Sequence, residues 1–118
     1  MIEKTVYDYL RSQLSVPVFM ELPEVPSEAY AELPEEFVVL QKVGDTVEDY
    51  VWSASIAIQS YSLNSLYNAA ALSKQVREVM DVMTDWVDVS GSKMSTEADF
   101  TDASTKRYRY QSVYIVSY

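Results

Sequence analysis

The sequence predicts an α+β protein: a mainly antiparallel sheet of about four strands packed against one long helix and a short N-terminal helix. Three observations predict it. Val51 to Tyr61 alternates, with Trp52, Ala54, Ile56 and Ile58 on one face and Ser53, Ser55 and Gln59 on the other, the period of a half-buried strand. The period then lengthens: Leu66, Ala69, Ala70, Ser73, Val76, Met80, Met83 and Val87 recur at three- and four-residue steps, which marks an amphipathic helix. The chain closes on a second alternating stretch, Arg107 to Tyr118, which the long helix can carry back beside the strand opening at Val51.

Ile2, Val6, Tyr9, Leu10 and Leu14 share one helical face, so the first helix is expected over Ile2–Leu14. Pro17 ends it, because the residue before a proline avoids the helical region. Val16–Met20 reads as a short strand, and Pro17 makes it an edge strand. Residues 21–36 hold Pro23, Pro26, Pro34 and six glutamates without a lysine or arginine. That composition predicts a long surface loop or projecting arm, which matters for assembly more than for folding. Phe37–Val43 is a strand with an apolar start. Gly44-Asp45 reads as a turn, and the strand from Val51 is expected to pair back as an antiparallel hairpin. Ser62 or Ser65 is placed to cap the long helix, which is expected to reach Val87 and stop at Ser90-Gly91. Within the polar stretch 91–106, a short irregular strand is expected around Ser95–Phe100. The whole, residues 1–118, reads as a single domain.

The 118 residues contain no cysteine and no histidine. Disulfides, thiol chemistry, imidazole catalysis and the usual zinc ligands are therefore out of reach, which fits assembly inside a cell. No apolar run has the length of a membrane span, and Met1-Ile2-Glu3-Lys4 leads into an amphipathic pattern rather than a signal peptide. The net charge is −9, which argues against nucleic-acid binding through a basic patch. Ten tyrosines are present; this residue suits strands and protein interfaces.

No motif for chemistry stands out. The glutamates of 21–36 sit on proline-broken chain, where paired carboxylates would lack a rigid frame. Asp81, Asp85 and Asp88 follow helical spacing and offer oxygen ligands to a divalent cation; a solvated helix face is the plainer reading. Two glycines, Gly44 and Gly91, make no phosphate-cradling loop. No catalytic, cofactor or metal residue is assigned. Arg107-Tyr108-Arg109-Tyr110 interleaves basic and aromatic side chains in the manner of single-strand binders. On an acidic chain these arginines are better matched to a carboxylate of the same or a neighbouring subunit.

The layout resembles the tail terminator (tail-completion) proteins of long, flexible-tailed bacteriophages. The resemblance rests on the helix carrying Val6-Tyr7-Asp8-Tyr9-Leu10, then Val16-Pro17-Val18-Phe19, and a proline-marked loop before Phe37-Val38-Val39-Leu40. The strand running into the helix from Leu66 to Val87, and a closing Tyr/Val strand, complete it. It implies a hexameric ring that caps the tail tube, ends elongation and provides the head-attachment surface. The implied partners are further copies of the chain, tail tube protein and a head-completion or neck protein, with DNA passing through unbound. The implied location is the head-proximal end of the tail, and the host cytoplasm during assembly. Glu24, Glu28 and Glu32 with Arg107, Tyr108, Arg109 and Tyr110 are the expected subunit contacts. Another neck connector, a non-viral acidic adaptor that binds a basic partner, and a metal enzyme with oxygen ligands are the alternatives.

Overall fold

A computed structural model describes residues 2–20, 34–48, 51–87, 89–99 and 108–118. The elements are α1 (Ile2–Gln13), β1 (Val18–Phe19), β2 (Glu36–Glu48), β3 (Val51–Ser62), α2 (Leu66–Asp81), a 3-10 turn at Met83–Asp85, β4 (Gly91–Asp99) and β5 (Tyr108–Ser117). The five strands form one sheet in the order β1-β2-β3-β5-β4. Only β1 and β2 run parallel, pairing Val18 with Val38 and Phe19 with Val39. The fold is α+β with a mostly antiparallel sheet, as the sequence predicts, and with a fifth strand.

Both helices pack on one face of the sheet. Ile2, Val6, Tyr9 and Leu10 of α1, and Leu72, Val76 and Met80 of α2, join Val38, Leu40, Ala54, Ile56, Ile58, Tyr114 and Val116 in one core. α2 begins where Ser65 caps it, the hydroxyl accepting from the Asn68 N–H at 3.0 Å. This satisfies one of the orphan donors of the first turn. Against the sheet's other face Phe37, Val39 and Tyr61 form a second small core, with Phe19 packed on it. α2 carries the chain back to β4, the outer strand, and β5 then returns between β4 and β3, antiparallel to both, pairing with β3 from Ser53↔Ser117 to Ser62↔Tyr108.

Four expectations are corrected. The long helix stops at Asp81 rather than Val87, and the chain tightens into the 3-10 turn before β4; Val82 and Trp86 there are exposed. Gly91 does not end a helix but opens β4, which runs from Gly91 rather than Ser95. Gly44-Asp45 makes no turn: both lie within β2, where the pairing with β3 shifts between Lys42 and Gly44. The bulge absorbs the irregular residues and the hairpin continues past them. Trp52, expected in the core with Ile56 and Ile58, is 51% exposed. It lies on the same strand face as they do, but beyond the helical cover. The 16 residues of α2 span about 24 Å, whereas the 12 residues of β3 span about 40 Å.

Candidate functional site

Of the residues expected at subunit contacts, Glu24, Glu28, Glu32 and Arg107 lie outside the described residues. Tyr108, Arg109 and Tyr110 open β5, and the alternation of the strand divides them. Arg109 shares its face with Gln111, on the side away from the helices, while Tyr108 and Tyr110 share theirs with Ser112 and Tyr114. The three described residues of the motif therefore do not share one face.

Arg109 has an aromatic partner. Its guanidinium stands 5.9 Å from the Tyr61 ring centroid and donates to the Tyr61 hydroxyl at 3.4 Å. Tyr61 stacks on Phe37 across the β2–β3 pairing, with centroids 4.7 Å apart and planes 11° from parallel. Phe19 meets Phe37 edge-on at 5.7 Å. The Tyr61 hydroxyl donates to Gln59 Oε1 at 3.1 Å, and Gln59 Nε2 donates to Gln111 Oε1 at 3.1 Å. The helix-free face of the sheet thus carries an aromatic pile at one end and an amide ladder beside it. Toward the other end it is spread with small residues, among them Ser53, Ser55 and Ala57. The described side chains on this face include Lys93 and Arg109.

Exposed apolar side chains gather at the two ends of β3. β2 and β3 run past the end of β5 and carry Val47, Val51 and Trp52 into solvent, with Tyr118 beside them, and Val43 is exposed at the bulge of β2; the Tyr118 N–H is held by the Trp52 carbonyl at 2.8 Å. At the opposite end stand Leu63, Leu66, Tyr67, which is 80% exposed, and Tyr108. A further groove of about 360 Å³ lies between α1 and the 3-10 turn, lined by Thr5, Asp8, Tyr9, Ser12, Gln13, Trp86 and Val87; Trp86 is 67% exposed. Exposed tryptophan and tyrosine at the ends of a small domain are the residue types that dominate binding at protein interfaces.

Polar ties brace the hairpin. Lys42 Nζ is 2.8 Å from Asp45 Oδ2 and 3.8 Å from Glu3 Oε1 on α1, and the Tyr118 hydroxyl donates to Asp45 Oδ1 at 3.2 Å. The hydrogen bond from Lys42 holds the Asp45 carboxyl below its usual range, and the same bond raises Lys42. Beneath α2, the Ser73 hydroxyl donates to Glu97 Oε2 at 3.0 Å, and the Ser112 hydroxyl donates to the same oxygen at 3.1 Å. Next along β5, burial pushes the Tyr114 phenol up to about 12, partly offset by the nearby Ser112 hydroxyl. Sequence reasoning placed Ser73 on the apolar stripe but missed this cluster; a serine inside such a stripe was the signal.

Among the described residues no group of three or more acidic side chains converges to hold a metal ion. The helical spacing that would align Asp81 with Asp85 and Asp88 ends at Asp81, and Asp88 lies outside the described residues. No described helix is long and apolar enough to cross a membrane.

These features define a two-layer α+β domain with both described helices on one face of the sheet and exposed apolar side chains near its ends. A chain in the virion of a native gene transfer agent particle has this fold: the superposition gives a TM-score of 0.68 at 17% sequence identity, covering 95% of this chain and 90% of that one. No protein-family model matches the sequence, and a search of curated proteins returns no match.

Proposed function

We propose that this chain is a structural protein of a phage-like virion and serves as its tail terminator. Six copies form a ring on the head-proximal end of the tail tube, stop its growth and present the surface to which the filled head attaches. The observation that carries this reading is the end-to-end likeness of fold to a gene transfer agent virion chain, over 95% of this one. It agrees with the tail-terminator layout of the sequence in element order and size. The role is assembly rather than catalysis, and it takes no cofactor. Its partners are further copies of itself, tail tube protein and a head-completion or neck protein. DNA passes through the ring unbound, and the acidic balance of the subunit disfavours adhesion of phosphate. Glu24, Glu28 and Glu32 of one subunit pair with Arg107 and Arg109 of the next.

The test joins light scattering and negative-stain imaging of the purified chain, alone and with tube protein, to the tails made by phage that lack it. The expected results are a ring on the tube end, and, without the protein, tails of uncontrolled length that fail to join heads. A chain that stays monomeric in both mixtures, together with unchanged tail length, overturns the reading in favour of another neck connector or an adaptor.

A further inference from the structure

The sheet has two edges, and their geometry matches. β1 covers β2 only at Val38 and Val39. From Leu40 to Glu48, β2 has no strand on its outer side among the described residues. β4 is the opposite edge and is largely exposed along its nine residues. Following the pairings across the sheet, Leu40 stands level with Ile58, Ser112 and Glu97, and Thr46 stands level with Ser53, Ser117 and Gly91. The stretch of β2 with no described strand beside it therefore lies at the same height as Gly91–Glu97 of β4, and β1 takes the heights of Ala98 and Asp99. Each edge carries one register shift, between Lys42 and Gly44 and between Met94 and Thr96. Lys42 is level with Met94 through Ile56 and Tyr114, so the two bends fall at neighbouring heights.

Direction matches as well. β2 is antiparallel to β3, β3 to β5 and β5 to β4, so β4 runs antiparallel to β2. A rotation about an axis along the sheet preserves strand direction, and it brings β4 of one copy antiparallel against β2 of the next. One charge pair is complementary in that pairing: Lys42 and Glu97 lie on the same face of the sheet and diagonal to each other, a distance that a cross-strand ion pair spans.

We propose that β4 of one copy adds to the free edge of β2 of the next, over Gly91–Glu97 and Leu40–Thr46, so that an antiparallel ladder continues from subunit to subunit. The occupant of each edge is a second copy of this chain. The proposal rests on the ring reading and names its joint. Two different edges on opposite sides of one subunit make a heterologous contact, the kind that closes into rings. It also accounts for two edges left open in one small sheet, which would otherwise invite unspecific pairing.

The absence of native cysteine makes the test clean. Chains carrying Val43→Cys alone are mixed with chains carrying Ser95→Cys alone and oxidised mildly, with Tyr67→Cys at the start of α2 as control. The expected result is a disulfide-linked dimer in the mixtures of β2 and β4 variants, and none in any single variant or with the control. The double variant Val43→Cys/Ser95→Cys is expected to give a ladder of linked species ending at the closed ring. Melting temperatures within a few degrees of the parent show that folding is intact. Oligomers by light scattering without mixed dimers, or self-linking by Val43→Cys alone, overturn the edge joint and leave the ring standing. A chain that stays monomeric alone and with tube protein overturns both.

Discussion

Ser73 on α2 and Ser112 on β5 stand with their hydroxyl oxygens 3.0 Å apart, and both reach the same oxygen of Glu97 on β4. The two serines are about 1% exposed. Each hydroxyl has a single proton, so both protons serve the carboxylate, and the serine–serine contact forms only when one lets go. This joins the long helix to the two strands at one side of the sheet. Glu97→Ala is expected to cost about 1–2 kcal/mol, because the serines then bond to each other rather than being stranded. Ser73→Ala and Ser112→Ala are each expected to cost about 1 kcal/mol, with the double variant costing less than the sum of the two. Urea denaturation of the four chains measures the cycle, and strict additivity would show that the cluster is not coupled.

Tyr114 is fully buried, and its hydroxyl makes no hydrogen bond of ordinary geometry. A buried polar group without a partner costs about 1–3 kcal/mol. Tyr114→Phe is therefore expected to leave stability at pH 7 unchanged or to raise it, by up to that amount.

The same phenol sets an alkaline limit. Burial pushes it up to about 12, above the unfolded value of about 10. Its contribution is whole below pH about 10 and is lost as pH rises from there through about 12, because the unfolded chain sheds the proton first. The loss across that window is expected to be about 2–3 kcal/mol, on top of what other tyrosines contribute. Denaturation midpoints measured through the window should fall less steeply in the Tyr114→Phe chain. Equal slopes in the two chains would mean that the phenol is solvated.

Ile56 and Trp52 lie on one face of β3, yet one is buried and the other half in solvent. Ile56→Ala is expected to cost about 2–5 kcal/mol, the range for removing buried aliphatic bulk. Trp52→Ala is expected to change monomer stability by about 0.5 kcal/mol or less and to weaken assembly instead. Thermal melts and light scattering separate the two effects. A Trp52→Ala chain that melts far below the parent would show that the tryptophan belongs to the core.

Charge reversal at both Arg107 and Arg109 is expected to impair assembly more than folding. An exposed ion pair is worth about 0–1 kcal/mol, but a ring repeats it at every joint. The folding cost of Arg109→Glu is expected to be about 0.5–1 kcal/mol, from the lost contact over Tyr61. Comparing the single and double reversals by melting and by ring yield tests this. Equal losses in both readouts would assign the arginines to the fold alone.

Much of the architecture was legible because it rests on local periodicity. The apolar steps of Val6, Tyr9 and Leu10 and of Val76 and Met80 gave both helices, and alternation gave β3 and β5. Pro17 placed β1 at an edge, since a proline cannot donate to a ladder on both sides. Ser62 or Ser65 was the expected cap of α2, and the structure selects Ser65. The contact surfaces were less legible. Tyr108, Arg109 and Tyr110 read as one motif along the chain, but a strand sends neighbours to opposite faces. The exposed Val47 and Trp52 look apolar in sequence whether covered or not.

From the sequence alone came the kinds of element, their order, the pairing of β5 with β3, the acidic balance and the lack of cysteine and histidine. These depend on residue types and spacings within a few turns of chain. Tertiary structure alone decided where cover ends and what it brings together. Period assigns a face but not the length of the layer packed on it. β3 is about 16 Å longer than α2, from a rise of about 3.3 Å per residue against 1.5 Å, so Trp52 emerges beyond the helices. The same packing carried Ser73 from one element to Glu97 and Ser112 of two others. It also left the outer edges of β2 and β4 open at one height, a relation that exists only after the intervening strands have paired.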